Sequence, residues 1–251
     1  MSLPDAFIAR PITHRGLHDV TNGRAENSPK AFAAAMDHGY GIELDLQLSS
    51  DHVPMVFHDY DLGRLTDATG AVAQRTAAEL GQIPLKHDGD GIPTLAQVLD
   101  QVAGRVPLVI EIKDQDGALG PNVGPMGAQV AALLRDYDGY VAVMSFNPHS
   151  VAALADRAPL VPRGLTTCDF LQKDWPTIPK ARLAELAEIP DFERARASFI
   201  SHQASDLASP WLAPIRAKGV PVLTWTIRSR MEEAEARKLA DNVTFEGYLP
   251  A

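Results

Sequence analysis

The feature that most constrains the fold is a rhythm. Short β-branched or aliphatic runs alternate with Ala-rich amphipathic stretches from one end of the chain to the other, the pattern of repeated βα units around a parallel sheet. Strands are expected at residues 12–14, 42–46, 108–112, 141–145, 160–164, 198–201, 220–226 and 243–246. Helices are expected at 28–38, 94–102, 126–137, 148–157, 181–189, 210–218 and 230–240. Eight strand signals, 251 residues and a 45% hydrophobic content fit one α/β domain spanning 1–251, a (β/α)8 TIM barrel.

Residues 53–93 exceed an ordinary βα connection and contain their own apolar run, Val53-Pro54-Met55-Val56-Phe57. They read as a small insertion after strand 2 that overhangs one mouth of the barrel. A second irregular stretch, 166–180, holds Trp175 and two prolines; it either covers the same mouth or simply connects.

Charge narrows the partners. A net charge of −9 argues against nucleic acid or an anionic membrane surface, both of which require a field of Lys and Arg. Any bound anion must meet a local cationic cluster. The lone Cys168 excludes an internal disulfide framework and reads as a packed residue. Residues 1–8 lack a cationic and apolar leader pattern, and no run reaches the roughly 18 apolar residues of a membrane span. A cytoplasmic protein acting on a small molecule, without stable membrane insertion, is expected.

Glu43 and Asp45 are two apart in Ile42-Glu43-Leu44-Asp45-Leu46, so both carboxylates share one strand face while the aliphatic residues take the other. In a barrel the aliphatic face meets the helices and the acids turn inward. Val109-Ile110-Glu111-Ile112-Lys113 repeats the arrangement. Packed acids repel unless a cation intervenes. Three inward carboxylates suit one hard divalent ion, Mg²⁺ or Ca²⁺, rather than zinc. A salt-bridge network with Lys113 and Arg15 is the alternative; the meeting of two adjacent strands favours the metal.

His14-Arg15-Gly16 ends strand 1, at the mouth where barrel enzymes keep their catalytic groups, and His58-Asp59 follows the run 53–57. Two histidines near a metal can act as acid and base on a phosphodiester, because imidazole both donates and accepts near neutral pH. The other six histidines read as surface, turn or cap residues, His202 with the least support. Arg15 and Lys113 supply the cations that an anionic substrate needs. No Walker-type loop, G-x-S-x-G elbow or Cys/His zinc spacing is present.

These segments resemble the glycerophosphodiester phosphodiesterase family. The matching stretches are His14-Arg15-Gly16, Glu26-Asn27-Ser28, Gly41–Leu48 and Val56-Phe57-His58-Asp59, followed by Leu62–Thr66 with Gly70, Ile92–Leu95, Glu111-Ile112-Lys113, Ser145-Phe146-Asn147 and Trp225-Thr226-Ile227. The resemblance implies a barrel with an insertion after strand 2, a divalent ion on Glu43, Asp45 and Glu111, and His14 and His58 as acid and base. It also implies Arg15 and Lys113 on the phosphate, Trp225 against the glycerol end, and release of glycerol 3-phosphate and an alcohol. The chain departs from the family pattern at Arg228, where Asn is common, and at Thr244-Phe245-Glu246-Gly247, where a Thr-Asp-Pro-like turn is common. Both departures fall at the expected substrate mouth and bear on the alcohol. A lysophospholipase D or phospholipase C-like lipid phosphodiesterase would be favoured by an apolar ramp near the mouth. A catalytically silent barrel that binds a phosphorylated ligand is the reading of a different class.

Overall fold

The computed structural model describes residues 2–250. Among these, eight parallel strands close into a barrel: β1 (Ile12–Thr13), β2 (Gly41–Leu48), β4 (Leu108–Ile112), β5 (Val141–Ser145), β6 (Arg163–Thr167), β7 (Phe199–Gln203), β8 (Val222–Ile227) and β9 (Asn242–Phe245), with β1 pairing both β2 and β9. β3 (Pro54–Val56) folds back antiparallel on β2. Helices follow the strands in turn: α2 (Pro29–Asp37) after β1, then α4 (Leu95–Val102), α5 (Met126–Leu134), α6 (Pro148–Arg157), α7 (Lys180–Ala187), α8 (Ala213–Ala217) and α9 (Arg230–Ala236). The short α1 (Ala6–Ala9) precedes the barrel, and α3 (Ala77–Leu80) lies between β3 and α4.

Alternation along the strands separates two environments. Ile42, Leu44, Leu46, Ile110 and Ile112 pack outward with Phe32, Val98 and Leu99 in the layer between strands and helices. Inside, Ile12, Val109, Ala142, Met144, Phe199 and Leu223 form an apolar plug completed by Leu3 and Phe7. Asn242 fastens this N-terminal segment by donating to the carbonyls of Phe7 (2.8 Å) and Arg10 (2.7 Å). The plug fills the end of the barrel where the strands begin, so polar inward side chains gather at the opposite, C-terminal end.

The segment between β2 and α4 has an apolar cluster of its own, in which Met55, Phe57, Leu62, Leu80 and Ile92 pack with Ala25. Its start carries His58 and Asp59 to the barrel mouth. The 166–180 stretch divides: Thr166 and Thr167 belong to β6, and Trp175 packs on Phe146 with ring centroids 5.1 Å apart.

The sixth strand lies three residues later than the sequence pattern suggests. Leu160 is 83% exposed, and β6 begins only after Pro162, whose carbonyl accepts from the amide of Val143 at 2.9 Å. The polar inward pair Thr166-Thr167 had masked the strand signal. Three helices also end short of their amphipathic stretches, at Leu134, Ala217 and Ala236.

Gly164 marks where β6 and β7 pack most tightly inside the barrel, since a Cβ there would overlap the Phe199 ring. Gly164→Ala is expected to cost about 1–3 kcal/mol through overpacking, read as a lower urea midpoint at unchanged m-value. An unchanged midpoint would show that the plug can yield.

Candidate functional site

All eight candidate residues reach one cavity of about 60 Å³ at the C-terminal end of the barrel: His14, Arg15, Glu43, Asp45, His58, Glu111, Lys113 and Trp225 line it, with Met144, Phe146, Thr166 and Thr244. A larger hollow of about 790 Å³, lined by residues such as His18, Glu26, Arg64 and Tyr248, shares none of these side chains. The chemistry lies in the smaller one.

The β2–β4 register sets Asp45 directly beside Glu111, and Glu43 lies one strand pleat deeper. Oxygens of the three carboxylates lie within 4.8 Å of one another, all buried. Lys113 Nζ sits 2.7 Å from Asp45 Oδ1 and 2.6 Å from Glu111 Oε1. Arg15 Nε lies 3.3 Å from Asp45 Oδ2, and the Arg15 amide donates to Glu43 Oε2 at 2.9 Å. The salt-bridge network considered above therefore exists, but two fixed cations face three acids. Burial, then Asp45 and Glu111, push the Glu43 carboxyl well above its ordinary range. Burial also acts to raise Asp45, but Lys113, His58 and Arg15 outweigh it and hold that carboxyl far below its usual value. An all-oxygen donor set that is short of positive charge fits a hard divalent cation.

Local backbone geometry aims these groups. Arg15 (φ 56°) and Gly16 (φ 79°) turn the chain through the left-handed region just after β1. A Cβ on Gly16 would collide with Ala31, so the turn closes only with glycine. Asn27, also left-handed at φ 56°, donates from Nδ2 to Asp45 Oδ2 at 2.9 Å. Arg15 further pairs with Glu26 (2.8 Å), Glu26 with Arg64 (2.8 Å) and Arg64 with Asp59 (2.6 Å).

Both histidines rest on carboxylates. His58 Nδ1 lies 2.6 Å from Asp59 Oδ1, and His14 Nδ1 lies 2.6 Å from Glu246 Oε2. Hydrogen bonds from His14 and His18 hold the Glu246 carboxyl far below its ordinary value. Burial acts to raise Asp59, but its bonds to His58 and Arg64 outweigh that. Both acids are therefore ionised and can only accept, so each Nδ1 carries the proton and each Nε2 is free for substrate. Burial lowers the His14 pKa, with the Glu246 bond opposing, so the imidazole is neutral and ready to accept a proton near pH 7.

Some relationships were not visible in sequence. Glu246 and Arg228 contact His14 and each other rather than an open substrate mouth. Thr166 Oγ1 is buried in the cavity wall without a hydrogen-bond partner; a threonine in a misplaced strand gave no signal. His202, assigned to a surface, turn or cap, is fully buried, with Nδ1 2.7 Å from Thr167 Oγ1 and Nε2 3.1 Å from Asp206 Oδ2. Cys168 is packed as expected, its thiol pushed up to about 12 by burial.

Residues 14–243 match the family model described as the glycerophosphoryl diester phosphodiesterase family. The chain belongs to that family. Its members are phosphoric diester hydrolases, and this barrel is an enzyme of that class. A Bacillus subtilis protein is 26% identical over 238 residues, covering 91% of this chain and 90% of its own. The glycerophosphodiester phosphodiesterase of Caldanaerobacter subterraneus is 33% identical over 174 residues, covering 65% of this chain and 69% of its own. Among solved structures, an Oleispira antarctica phosphodiesterase in complex with the product sn-glycerol-3-phosphate superposes with a TM-score of 0.76 at 23% identity, covering 96% of this chain and 94% of that one. That likeness shows the shared fold.

The charge imbalance yields a paired expectation. Because the Glu43 pKa is raised on folding, its contribution to stability is present below the ordinary value of 4.5 and is lost as pH rises through the folded value. In EDTA, the native protein should lose melting temperature as pH rises above the ordinary carboxylate range, and Glu43→Gln should lose less. Mg²⁺ or Ca²⁺ at a hundredfold excess over Kd should restore about 2.7 kcal/mol to the native protein and little to the variant. Calorimetry across pH with each ion checks both; equal ion-induced shifts in the two proteins would remove Glu43 from the site.

Proposed function

We propose that this enzyme hydrolyses glycerophosphodiesters to an alcohol and glycerol 3-phosphate, with one divalent cation, Mg²⁺ or Ca²⁺, on Glu43, Asp45 and Glu111 and with His14 and His58 as the acid–base pair. The observation that carries this reading is the convergence of three buried carboxylates, two carboxylate-backed imidazoles and two cationic side chains on one cavity. The Oleispira structure that shares the fold holds the same product. When bound, the cation would offset phosphate charge and favour deprotonation of the attacking hydroxyl. Family membership over residues 14–243 also supports reading the chain as one domain with an inserted segment at 53–93. Among the described residues no helix is long and apolar enough to cross a membrane, which accords with a cytoplasmic enzyme of glycerol and lipid metabolism.

In this mechanism Arg15 and Lys113 draw the phosphate oxygens into the cavity, and Trp225, with its indole N–H tied to the Ser201 carbonyl at 3.1 Å, presents a fixed ring to the glycerol. One histidine takes the proton of the attacking hydroxyl through Nε2, while the other gives a proton to the departing alcohol oxygen. The attacker is water, or the substrate's own glycerol hydroxyl followed by water. Proton count balances over the cycle because the acid and base end in exchanged states that solvent resets.

One feature favours a second reading, a lysophospholipase D. An apolar groove of about 490 Å³ opens beside His58 and Lys113 and is lined by Tyr60, Ile112, Leu119, Phe146 and Trp175. This is the apolar ramp that would accept an acyl chain.

Glycerol 3-phosphate release from glycerophosphocholine and glycerophosphoethanolamine should be abolished by EDTA and restored by Mg²⁺ or Ca²⁺. His14→Ala and His58→Ala should each reduce kcat by ~10²–10⁴-fold with melting temperature little changed. Preferential turnover of lysophosphatidylcholine would select the lipid reading. A folded, metal-loaded protein inactive on every diester would select a silent phosphate-ligand-binding barrel.

A further inference from the structure

Two residues at which the chain departs from its family pattern, Arg228 and Glu246, meet in space. Arg228 Nη2 lies 2.8 Å from Glu246 Oε1, while Glu246 Oε2 accepts from His14 Nδ1 at 2.6 Å, with His18 Nε2 3.6 Å from the same oxygen. A register shift between β8 and β9, between Thr224 and Ile227, brings them together. Beyond it the Glu246 amide donates to the Ile227 carbonyl at 3.0 Å. The Arg228 amide donates to Glu232 Oε2 at 2.7 Å, which ties that turn to α9. Irregularities of this kind near a barrel rim re-aim side chains.

We propose that Glu246, clamped by Arg228, is a positioning residue for His14: it fixes the imidazole plane and its Nδ1–H tautomer, so that Nε2 faces the phosphodiester. Each carboxylate oxygen has a separate task. Arg228 holds Oε1, which removes the rotational freedom of the acid and leaves Oε2 for the ring. A carboxylate accepts only, so it enforces the tautomer; it also stabilises the imidazolium formed when His14 takes a proton. Arg228 is 61% exposed, and solvent-facing ion pairs contribute little to folding, so scaffold stability does not account for the pair. The distances also separate it from the alcohol: both side chains are spent on His14 and on each other. This inference rests on the acid–base reading of His14.

The test uses the metal-loaded enzyme and the most reactive diester of the panel above, with ¹⁵N-histidine NMR of the His14 ring assigned through His14→Ala. Glu246→Gln should lower kcat by ~10–10³-fold with KM nearly unchanged, because the amide can turn its N–H toward Nδ1 and move the ring proton to Nε2, a change the ¹⁵N shifts report. Glu246→Asp should recover part of the loss and keep the native tautomer. Arg228→Asn should lower kcat by less, and adding it to Glu246→Gln should cost nothing further, since the two act through one bond. Native kcat and tautomer in Glu246→Gln, or losses that add in the double variant, would overturn the positioning role while an inactive His14→Ala left the acid–base reading standing. An active His14→Ala would remove both.

Discussion

Three carboxylates buried inside the barrel are the constraint on which the rest of the site depends. The β2–β4 pairing sets Asp45 against Glu111, and strand pleat puts Glu43 on the same inner face. Charges taken out of water are costly unless they are paired and hydrogen-bonded. The surroundings are built to meet that cost: Lys113 bridges two acids, Arg15 reaches a third contact through its backbone, and Asn27 braces Asp45. Even the left-handed backbone at Arg15 and Gly16 follows from it, since that turn points the Arg15 amide at Glu43. Strain of this kind persists where the surrounding contacts over-determine it.

From these acids a chain of ion pairs runs outward. Arg15 links Asp45 to Glu26, Arg64 joins Glu26 to Asp59, and Asp59 holds His58. Asp59 and Arg64 belong to the inserted segment, whereas Arg15 and Glu26 follow β1. The network therefore fixes the segment's histidine relative to the barrel's charge centre, although the segment packs around an apolar cluster largely its own. His14 is held independently, from β9. Two imidazoles on separate supports can keep different protonation states, which acid–base work on one diester demands.

How much was legible in sequence follows from the range of the interactions. Period-two alternation is local, so the inward acids of β2 and β4 and the aliphatic outer face could be read directly. The mouth of strand 1 and the end of the 53–57 run were legible for the same reason. Strand 6 was misplaced because Thr166 and Thr167 face a polar interior and Val161 offered a false apolar anchor; only the pairing of Val143 with Arg163 fixes the register. The Arg228–Glu246–His14 contact was illegible because it depends on the β8–β9 register shift, which no short-range pattern encodes. The buried place of His202 depends on Thr167 and Asp206 on either side of it, again a matter of strand register.

The charge balance also orders the steps by which a substrate can be held. The chain carries a net −9, so long-range attraction does not gather an anionic diester. Both cations in the cavity are already engaged: Lys113 with Asp45 and Glu111, Arg15 with Asp45 and Glu26. A phosphate arriving at that site would have to compete with buried carboxylates for the same two side chains and would add a further negative charge. Under the proposed function, the dication is therefore required for binding as well as for chemistry. By taking over the neutralisation of Glu43, Asp45 and Glu111, it frees the guanidinium and ammonium to turn toward phosphate oxygens. Arg15, restrained at its backbone but with an Nε that lacks a hydrogen-bond partner, is already poised for that exchange.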